Sequence, residues 1–327
     1  MSRMREAILE TLADGQCHSG AQIAAALGVT RASVGQQVAR LRTDGWWIEG
    51  RAGSGYRLTG PSRPLRRPVI EACPDNAPEL FDAAELCAVI ESTSDHLAKT
   101  VLAADGKARL CTAEHQTAGR GRRGREWVAP TGGGIAFSLA RMMSLPPAAL
   151  TPIALVTAVA ATDALTSLGA SGLGLKWPND IEANRAKLGG ILIDLSGEAD
   201  GPTRIVIGIG LNYDLGAFGG ADLGRPVTDC VSVWTGEVPP RDVLICHLAT
   251  VVARACNDFL AHGFPPFRER WAVRDSLAGH AIRLQITPER CVDGVAAGVD
   301  ANGALLLDTD QGRQCFFAGD ASVRARS

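Results

Sequence analysis

The chain has no excess of charge of either sign: 33 Lys and Arg face 35 Asp and Glu, a formal net charge of −2. That excludes a global polycation, so any binding of nucleic acid or other anions must come from local clusters. There is no CxxC pair. Nine cysteines lie scattered along 327 residues, which counts against a zinc site. An odd number fits a reducing cytosol better than a disulfide framework. Long apolar runs are missing too. The most apolar stretch, PIALVTAVAATDAL at 152–165, is short for a membrane span and carries Asp163, so a core helix is expected. The start, MSRMREAILETLADG, is amphipathic and charged, unlike a secretory signal, and the expected location is the cytoplasm. Neither a GxxxxGK[ST] phosphate loop nor a strand–GxGxxG–helix unit with a later acidic residue occurs.

What is present is an ordinary globular composition, 46% apolar and 21% charged, with length for two or three domains. Ile8, Leu9 and Leu12 suggest a first helix. Ser19 precedes GAQIAAALG, a short helix with a serine cap and Gly28 as its stop. Thr30 caps a third helix, RASVGQQVARLRTDG, with Val34, Val38 and Leu41 facing inward. WWIEGRAGSGYRL then reads as two short strands around a glycine-rich turn. This is the pattern of a winged helix-turn-helix, whose second turn helix enters the DNA major groove. Arg31, Ala32, Ser33, Gln36, Gln37 and Arg40 are the positions expected to meet DNA. A small three-helix domain that binds protein or nothing is the plainer alternative.

Residues 61–78 hold five prolines and are expected to form a linker. Beyond it, ARLCTAEHQ, GIAFSLA, LGLKWP, GGILIDLSG and RIVIGIGLNY read as strands, the last two as an antiparallel pair joined by EADGPT. A helix is expected from Pro152 to Leu168, stopped by Gly169. Helices cluster before and after these strands, which predicts an α+β fold with a mixed sheet. From 273 onward short strands recur every eight to ten residues, with Asn302-Gly303 as a type I′ hairpin signal, so a small barrel of the SH3 type is expected. The expected division is 1–63, a linker at 64–78, then 79–272 and 273–327.

Five stretches could carry chemistry. GRGRRGREW, 119–127, sets Arg120, Arg122, Arg123 and Arg125 among Gly119, Gly121 and Gly124. Backbone amides and guanidinium groups together suit polyphosphate, although a solvated basic loop has the same composition. In LKWPND, Lys176 and Asp180 could point into one site from a strand end, the Asp holding a metal or accepting a hydrogen bond. A strand running out into a turn with a packed Trp reads the same way. In AKLGGILID, Lys187 precedes Gly189-Gly190 at the mouth of an apolar strand. It could equally be a surface lysine. Gly208 and Gly210 interrupt IVIGIGLNY, where glycine marks a bulge or a close approach, and Asn212 ends it. Ser92, Thr93 and Ser94 lie where a strand gives way to a helix, placed for capping or for a small polar ligand.

ESTS, AEHQTAGRGRRGREW, KWPND, KLGGIL and GIGLN occur in the order found in biotin–protein ligases, over most of residues 85–215. With the winged helix before and the barrel after, the chain resembles the bifunctional bacterial form, ligase and biotin operon repressor (the BirA type). The resemblance implies a biotin/lipoate-ligase-like catalytic domain. Such a domain adenylates biotin with MgATP to biotinyl-5′-AMP and transfers the biotin to a lysine of a biotin carboxyl carrier protein. It implies that Ser92, Thr93, Ser94 and Gln116 bind biotin, and that Lys187, Arg120, Arg122 and Lys176 meet the carboxylate and phosphates. Gly119 and Gly121 belong to the phosphate loop. Asn179 and Asp180 would organise Mg²⁺ and the amine, with Asp180 as metal ligand. Trp127 would pack near adenine or biotin, and Gly190, Gly208 and Gly210 would let the ligand lie against the sheet, with Asn212 at the strand end. Residues 214–235 would cover the adenylate. Operator DNA and a homodimer formed when biotinyl-AMP is bound are the other implied partners. Where the family often has Arg-Lys before Leu-x-Gly-Ile, this chain has Ala186-Lys187. A biotin-sensing repressor without ligase activity and a lipoate–protein ligase are the alternatives.

Overall fold

The computed structural model describes residues 3–51, 53–59, 63–216 and 225–323. Helices α1 (Arg3–Leu12), α2 (Gly20–Leu27) and α3 (Arg31–Thr43) pack around Ile8, Leu12, Ile23, Val34, Val38 and Leu41. Ser19 closes a capping box with Gln22, and Gly28 ends α2 in the left-handed conformation, as its position in the sequence predicts. Strands β1 (Ile48–Arg51) and β2 (Gly55–Leu58) form the wing. His18 pairs with Tyr56 through two backbone hydrogen bonds, so the segment before α2 adds a third short rung.

The proline-rich stretch departs from the expected linker. It folds into two short helices, α4 (Arg67–Glu71) and α5 (Cys73–Asn76), each with proline in its first turn. Proline in a helix interior would cost a hydrogen bond, but in the first turn no partner is lost. Leu65, Ile70 and Cys73 enter the main core.

The central sheet is built from β3 (Phe81–Ile90), β4 (Ala108–Gln116), β5 (Gly134–Met143), β6 (Leu173–Lys176), β7 (Asp180–Ala183), β8 (Ala186–Gly197) and β9 (Thr203–Asn212). Its order is β3-β4-β5-β9-β8-β7-β6. Only β3–β4 is parallel, so the sheet is mixed as expected, and β8–β9 is the expected antiparallel pair. Asp180 does not finish a turn. It opens β7, a strand whose four residues are too few to show a period.

The two faces of the sheet differ, and the sequence of β9 shows why. Ile205, Ile207, Ile209 and Leu211 alternate onto the core face, leaving Val206, Gly208, Gly210 and Asn212 on the other. Helices α7 (Ile153–Ser167) and α9 (Arg241–His262) cover the core face; α6 (Thr93–Ala98) lies on the opposite one. Eleven of the fifteen residues of α7 are buried, the signature of a helix apolar all round. The helical run Pro147–Ser167 and α9 reach 21 and 22 residues, long and apolar enough to cross a membrane by length and composition alone. The short apolar run expected from sequence is thus longer once folded, and the cover it gives the sheet accounts for its composition: 72% of the first window is buried.

Helices α8 (Cys230–Val233) and α10 (Pro265–Arg274) lead to a five-stranded antiparallel sheet. Its strands are β10 (Ala281–Gln285), β11 (Cys291–Val299), β12 (Leu305–Thr309), β13 (Gly312–Phe316) and β14 (Asp320–Val323), in the order β13-β12-β11-β10-β14. This is the SH3-type unit expected. Its Asn302-Gly303 turn is not type I′, which needs positive φ at both residues: only Gly303 has it, at 77°. The Asp300 side chain accepts from the amides of Asn302 and Ala304 at 2.8 Å each, which stabilises a longer loop closed by Asp300 and Ala304.

Candidate active site

The open face of the central sheet carries a cavity whose floor is β5, β8 and β9 and whose far wall is the N-terminus of α6. Ser92 caps α6, accepting from the Asp95 amide. Thr93 donates both its amide and its hydroxyl to Gln116 Oε1, at 2.8 and 3.1 Å. Ser138 Oγ lies 2.8 Å from the Thr93 hydroxyl and 2.9 Å from Ser94 Oγ. Because Thr93 spends its proton on Gln116, Ser138 must donate to Thr93 and Ser94 to Ser138. The result is a buried, ordered chain of hydroxyls. It leaves an acceptor lone pair on Ser94 and the amide NH₂ of Gln116 for a ligand.

The other end of the cavity is cationic. Lys187 Nζ lies 2.6 Å from Asp180 Oδ1, and Arg225 lies 2.9 Å from Asp180 Oδ2. The Lys187 side chain is 11% exposed. Burial lowers its pKa below that of an ordinary lysine, and the Asp180 carboxylate opposes that shift. The Lys187 backbone is held as well: its amide donates to Pro226, and its carbonyl accepts from Thr228 and from Asn212 Nδ2. Asn212 therefore acts behind the cavity wall, not within it. Asn179 is fixed by donating to the Ile191 carbonyl at 2.6 Å. Lys176 enters the cavity lining but pairs with Glu182 at 3.7 Å.

The arginine loop folds over this end. Gly121 N donates to Arg125 O and Trp127 N to Gly119 O, while Arg123 takes a left-handed φ of 55°. Arg120 pairs with Asp95 and Asp194, tying the loop to α6 and β8. Arg122 reaches the Asn179 side chain and the Gly319 carbonyl, and its desolvation lowers its pKa, countered by Asp320. Arg123 and Arg125 pair with Asp320 of β14, and Arg123 donates to the Ile286 carbonyl at 2.7 Å. Arg120, Gly121, Arg122 and Arg125 line the cavity, while Arg123 faces the C-terminal sheet.

Gly190, Gly208 and Gly210 line the cavity and also make room there for the protein's own side chains. A Cβ on Gly210 would stand 2.5 Å from the Trp127 ring, one on Gly208 2.7 Å from Ser94 Oγ, and one on Gly190 3.1 Å from Lys187 Nζ. They admit the protein's own indole, hydroxyl and ammonium groups against the sheet, beside the cavity they line. Gly119 lies outside the lining, and a Cβ there would press on the Trp127 carbonyl at 2.4 Å. Trp127 Nε1 is buried without a partner, and Lys187 Nζ lies 5.6 Å from its ring centre.

Asp180 was expected to hold a metal. Both its oxygens are taken by cations, so it stands as the counter-ion of Lys187 and Arg225, and the residues around it do not form a Mg²⁺ cage. Of the loop 214–235, residues 217–224 lie outside the described residues; 226–228 strap onto Lys187. The cavity also takes in residues not assigned from the sequence, among them Glu126, Ser138, Arg225 and Asp320. Strand alternation could have found Ser138, which is paired opposite Gly208. Arg225 falls within 214–235, expected as a covering segment but without a role for this residue, and nothing local marks Asp320.

On the winged helix, Arg31, Ala32, Gln36 and Arg40 are exposed along α3, with Ser33 and Gln37 half-buried. Ser33 Oγ is 2.8 Å from Thr30 Oγ1, its capping residue. Four of the six positions expected to meet DNA are thus open to solvent.

Residues 86–212 match the Biotin/lipoate A/B protein ligase family, 4–57 an HTH domain and 279–324 the Biotin protein ligase C terminal domain. A biotin protein ligase from Aquifex aeolicus, solved with biotin and ATP, shares the fold with a TM-score of 0.62 at 23% identity, over 74% of this chain and 98% of that one. A biotin–[acetyl-CoA-carboxylase] ligase of Paracoccus denitrificans is 35% identical over 70% of this chain and 96% of its own length. The bifunctional ligase/repressor BirA of Salmonella typhimurium is 31% identical over 97% of each chain, and that of Escherichia coli is 31% identical over 97% of this chain and 96% of its own. With that identity carried along nearly the whole of both chains, this chain belongs to the BirA family of biotin ligase/repressors.

Proposed function

We propose that the cavity adenylates biotin with MgATP and passes the biotin to a lysine of a biotin carboxyl carrier protein. The observation that carries this reading is the polarity of the cavity: an ordered neutral hydroxyl chain at one end, a cationic cluster at the other. Biotin has the same polarity. Its ureido ring offers N–H to the lone pair on Ser94 and C=O to the Gln116 amide, and Ser92 and Thr93 hold the helix end that presents them. Its valeryl carboxylate then points toward Lys187.

In the first step the carboxylate oxygen attacks the α-phosphorus, a P–O bond breaks and pyrophosphate leaves. Two anions must meet, and charge builds on the phosphoryl oxygens, so Lys187, Arg120 and Arg122 act by fixed positive charge. Asp180 keeps Lys187 protonated and aimed; Asn179 and Lys176 border the phosphate path; Gly119 and Gly121 shape the loop backbone. Trp127 closes the loop over the mixed anhydride and limits its hydrolysis. In the second step the acceptor amine attacks the acyl carbon and AMP leaves, again past Lys187. Mg²⁺ enters with ATP as part of the substrate.

The winged helix reads operator DNA through α3, with Arg31, Ala32, Ser33, Gln36, Gln37 and Arg40 as its contact surface and the β1–β2 wing on the backbone. The adenylate-bound chain pairs with a second copy through the central sheet, and that edge also receives the carrier protein, so the two events compete. The cytoplasm is the expected place of action; none of the nine cysteines forms a disulfide among the described residues. The test of the catalytic reading is biotin-dependent exchange of pyrophosphate into ATP. Exchange with lipoate but not biotin would turn the reading to a lipoate ligase. Absence of any exchange by folded protein would leave only a sensor. Sedimentation with and without biotin and ATP tests the pairing, and a ligand-independent mass rejects it.

A further inference from the structure

We propose that Glu85, Cys87, His96 and Cys111 form a binding site for a divalent ion of the Zn²⁺ class, beneath α6 and apart from the ligand cavity. None of the four lines that cavity. A carboxylate oxygen of Glu85, an imidazole nitrogen of His96 and the Cys111 sulfur all lie within 4.8 Å of one another. The Cys87 side chain packs against the buried cluster that contains Cys111, just outside that set of three, and can turn its thiol toward it.

The parallel pairing of β3 with β4 brings them together. Glu85 stands opposite Cys111 and Cys87 opposite Ala113, so the odd-numbered residues share the face under α6. That helix lowers His96 onto them, with Nε2 2.7 Å from Glu85 Oε1. The ligands are remote in sequence, which is why the absence of CxxC says nothing about them.

Two thiolates, one imidazole and one carboxylate are ligands of the kind that Zn²⁺ takes in four-coordinate sites. Donor atoms in such a tetrahedron stand about 3.3–3.8 Å apart, so three of the donors need only to draw together and the Cys87 thiol to rotate in as the fourth. Cys111 is fully buried beside Leu97, Ala140 and Val206, while the His96 and Glu85 side chains are 39% and 44% exposed. The site is therefore closed from below and open for an ion to enter. A disulfide fits less well: Cys87 and Cys111 are not directly opposite but stand two residues out of register on neighbouring strands. Binding would displace a proton from each thiol to solvent. It would also tie α6 to β3 and β4, and α6 begins with Thr93 and Ser94 of the hydroxyl chain.

The test uses full-length protein, reduced and stripped with chelator, titrated with Co²⁺ as the probe and then with Zn²⁺. One Co²⁺ per chain should bind with a thiolate-to-cobalt charge-transfer band that Zn²⁺ abolishes, and the melting temperature should rise with metal. Cys87→Ser and His96→Gln, at partly exposed positions, should each weaken binding at least tenfold, and Cys87→Ser should also diminish the band. Cys17→Ser and Cys291→Ser should change neither. Absence of the band, equal binding by Cys87→Ser and His96→Gln, or a Cys87–Cys111 disulfide in thiol-trapped protein would each overturn the proposal.

Discussion

The two ends of the cavity are built by opposite means. At the biotin end, four neutral groups satisfy one another in a fixed order, and no formal charge is involved. At the phosphate end, cations outnumber the carboxylates they share: Lys187 and Arg225 on Asp180, three arginines on Asp320. A neutral chain can discriminate shape and donor–acceptor order, since a mismatched ligand leaves buried groups unpaired. It does little for a developing charge. The cationic end does the reverse. The comparison therefore predicts that damage to one end appears in binding and damage to the other in rate.

The largest effect should follow Lys187→Ala. Loss of one buried charged stabiliser slows adenylation about 10²–10³-fold, read as biotin-dependent pyrophosphate exchange, while the KM for biotin changes little. A rise in KM with an unchanged rate would erase the division of labour between the ends.

Asp180→Asn should come next, on the order of tenfold in rate, and its signature is the pH profile. Burial already lowers the pKa of Lys187, and Asp180 counteracts it. In the proposed mechanism the protonated amine is the active form, so the rate should fall as pH rises through the depressed pKa. Removing the carboxylate lowers that pKa further, and the falling limb should move to lower pH. A limb that stays in place would mean that Asp180 does not govern the charge of Lys187.

How much of this was legible beforehand differs between the ends. The biotin end rests on two local signals, the serine-rich start of α6 and the glycines of β9, both readable from sequence. Yet the reading of those glycines was incomplete. Composition shows that something must come close to Gly208 and Gly210, not that it is Ser94 and Trp127. The cationic end was half legible. Lys187, Asp180 and Arg122 sit in recognisable strings, but their partners Arg225 and Asp320 come from a strap and a second sheet. Only tertiary packing brings those together. The same limit hid β7, too short for a period, and the folded state of the proline-rich stretch, whose helices depend on burying Leu65 and Ile70.

Ser138→Ala tests the neutral end. It leaves Thr93 and Ser94 without their shared partner in a buried setting, a loss of about 1–3 kcal/mol. The KM for biotin should rise roughly tenfold with the rate at saturation nearly kept. An equal fall in both would show that the hydroxyl chain also serves the chemistry.

Asp320→Asn should have the smallest effect and the opposite sign. Arg122, Arg123 and Arg125 converge on this one carboxylate, which competes with a triphosphate for the same guanidinium groups. The Arg125 side chain is 58% exposed, so each pair contributes only about 0.2–1 kcal/mol. Neutralising Asp320 should lower the KM for ATP by a factor of about two to five. Thermal stability should fall slightly, because the loop loses its tie to β14. The two shifts must occur together if the carboxylate holds the loop until phosphate replaces it. A weaker affinity for ATP would instead make Asp320 part of the nucleotide site, aligning the arginines it now holds.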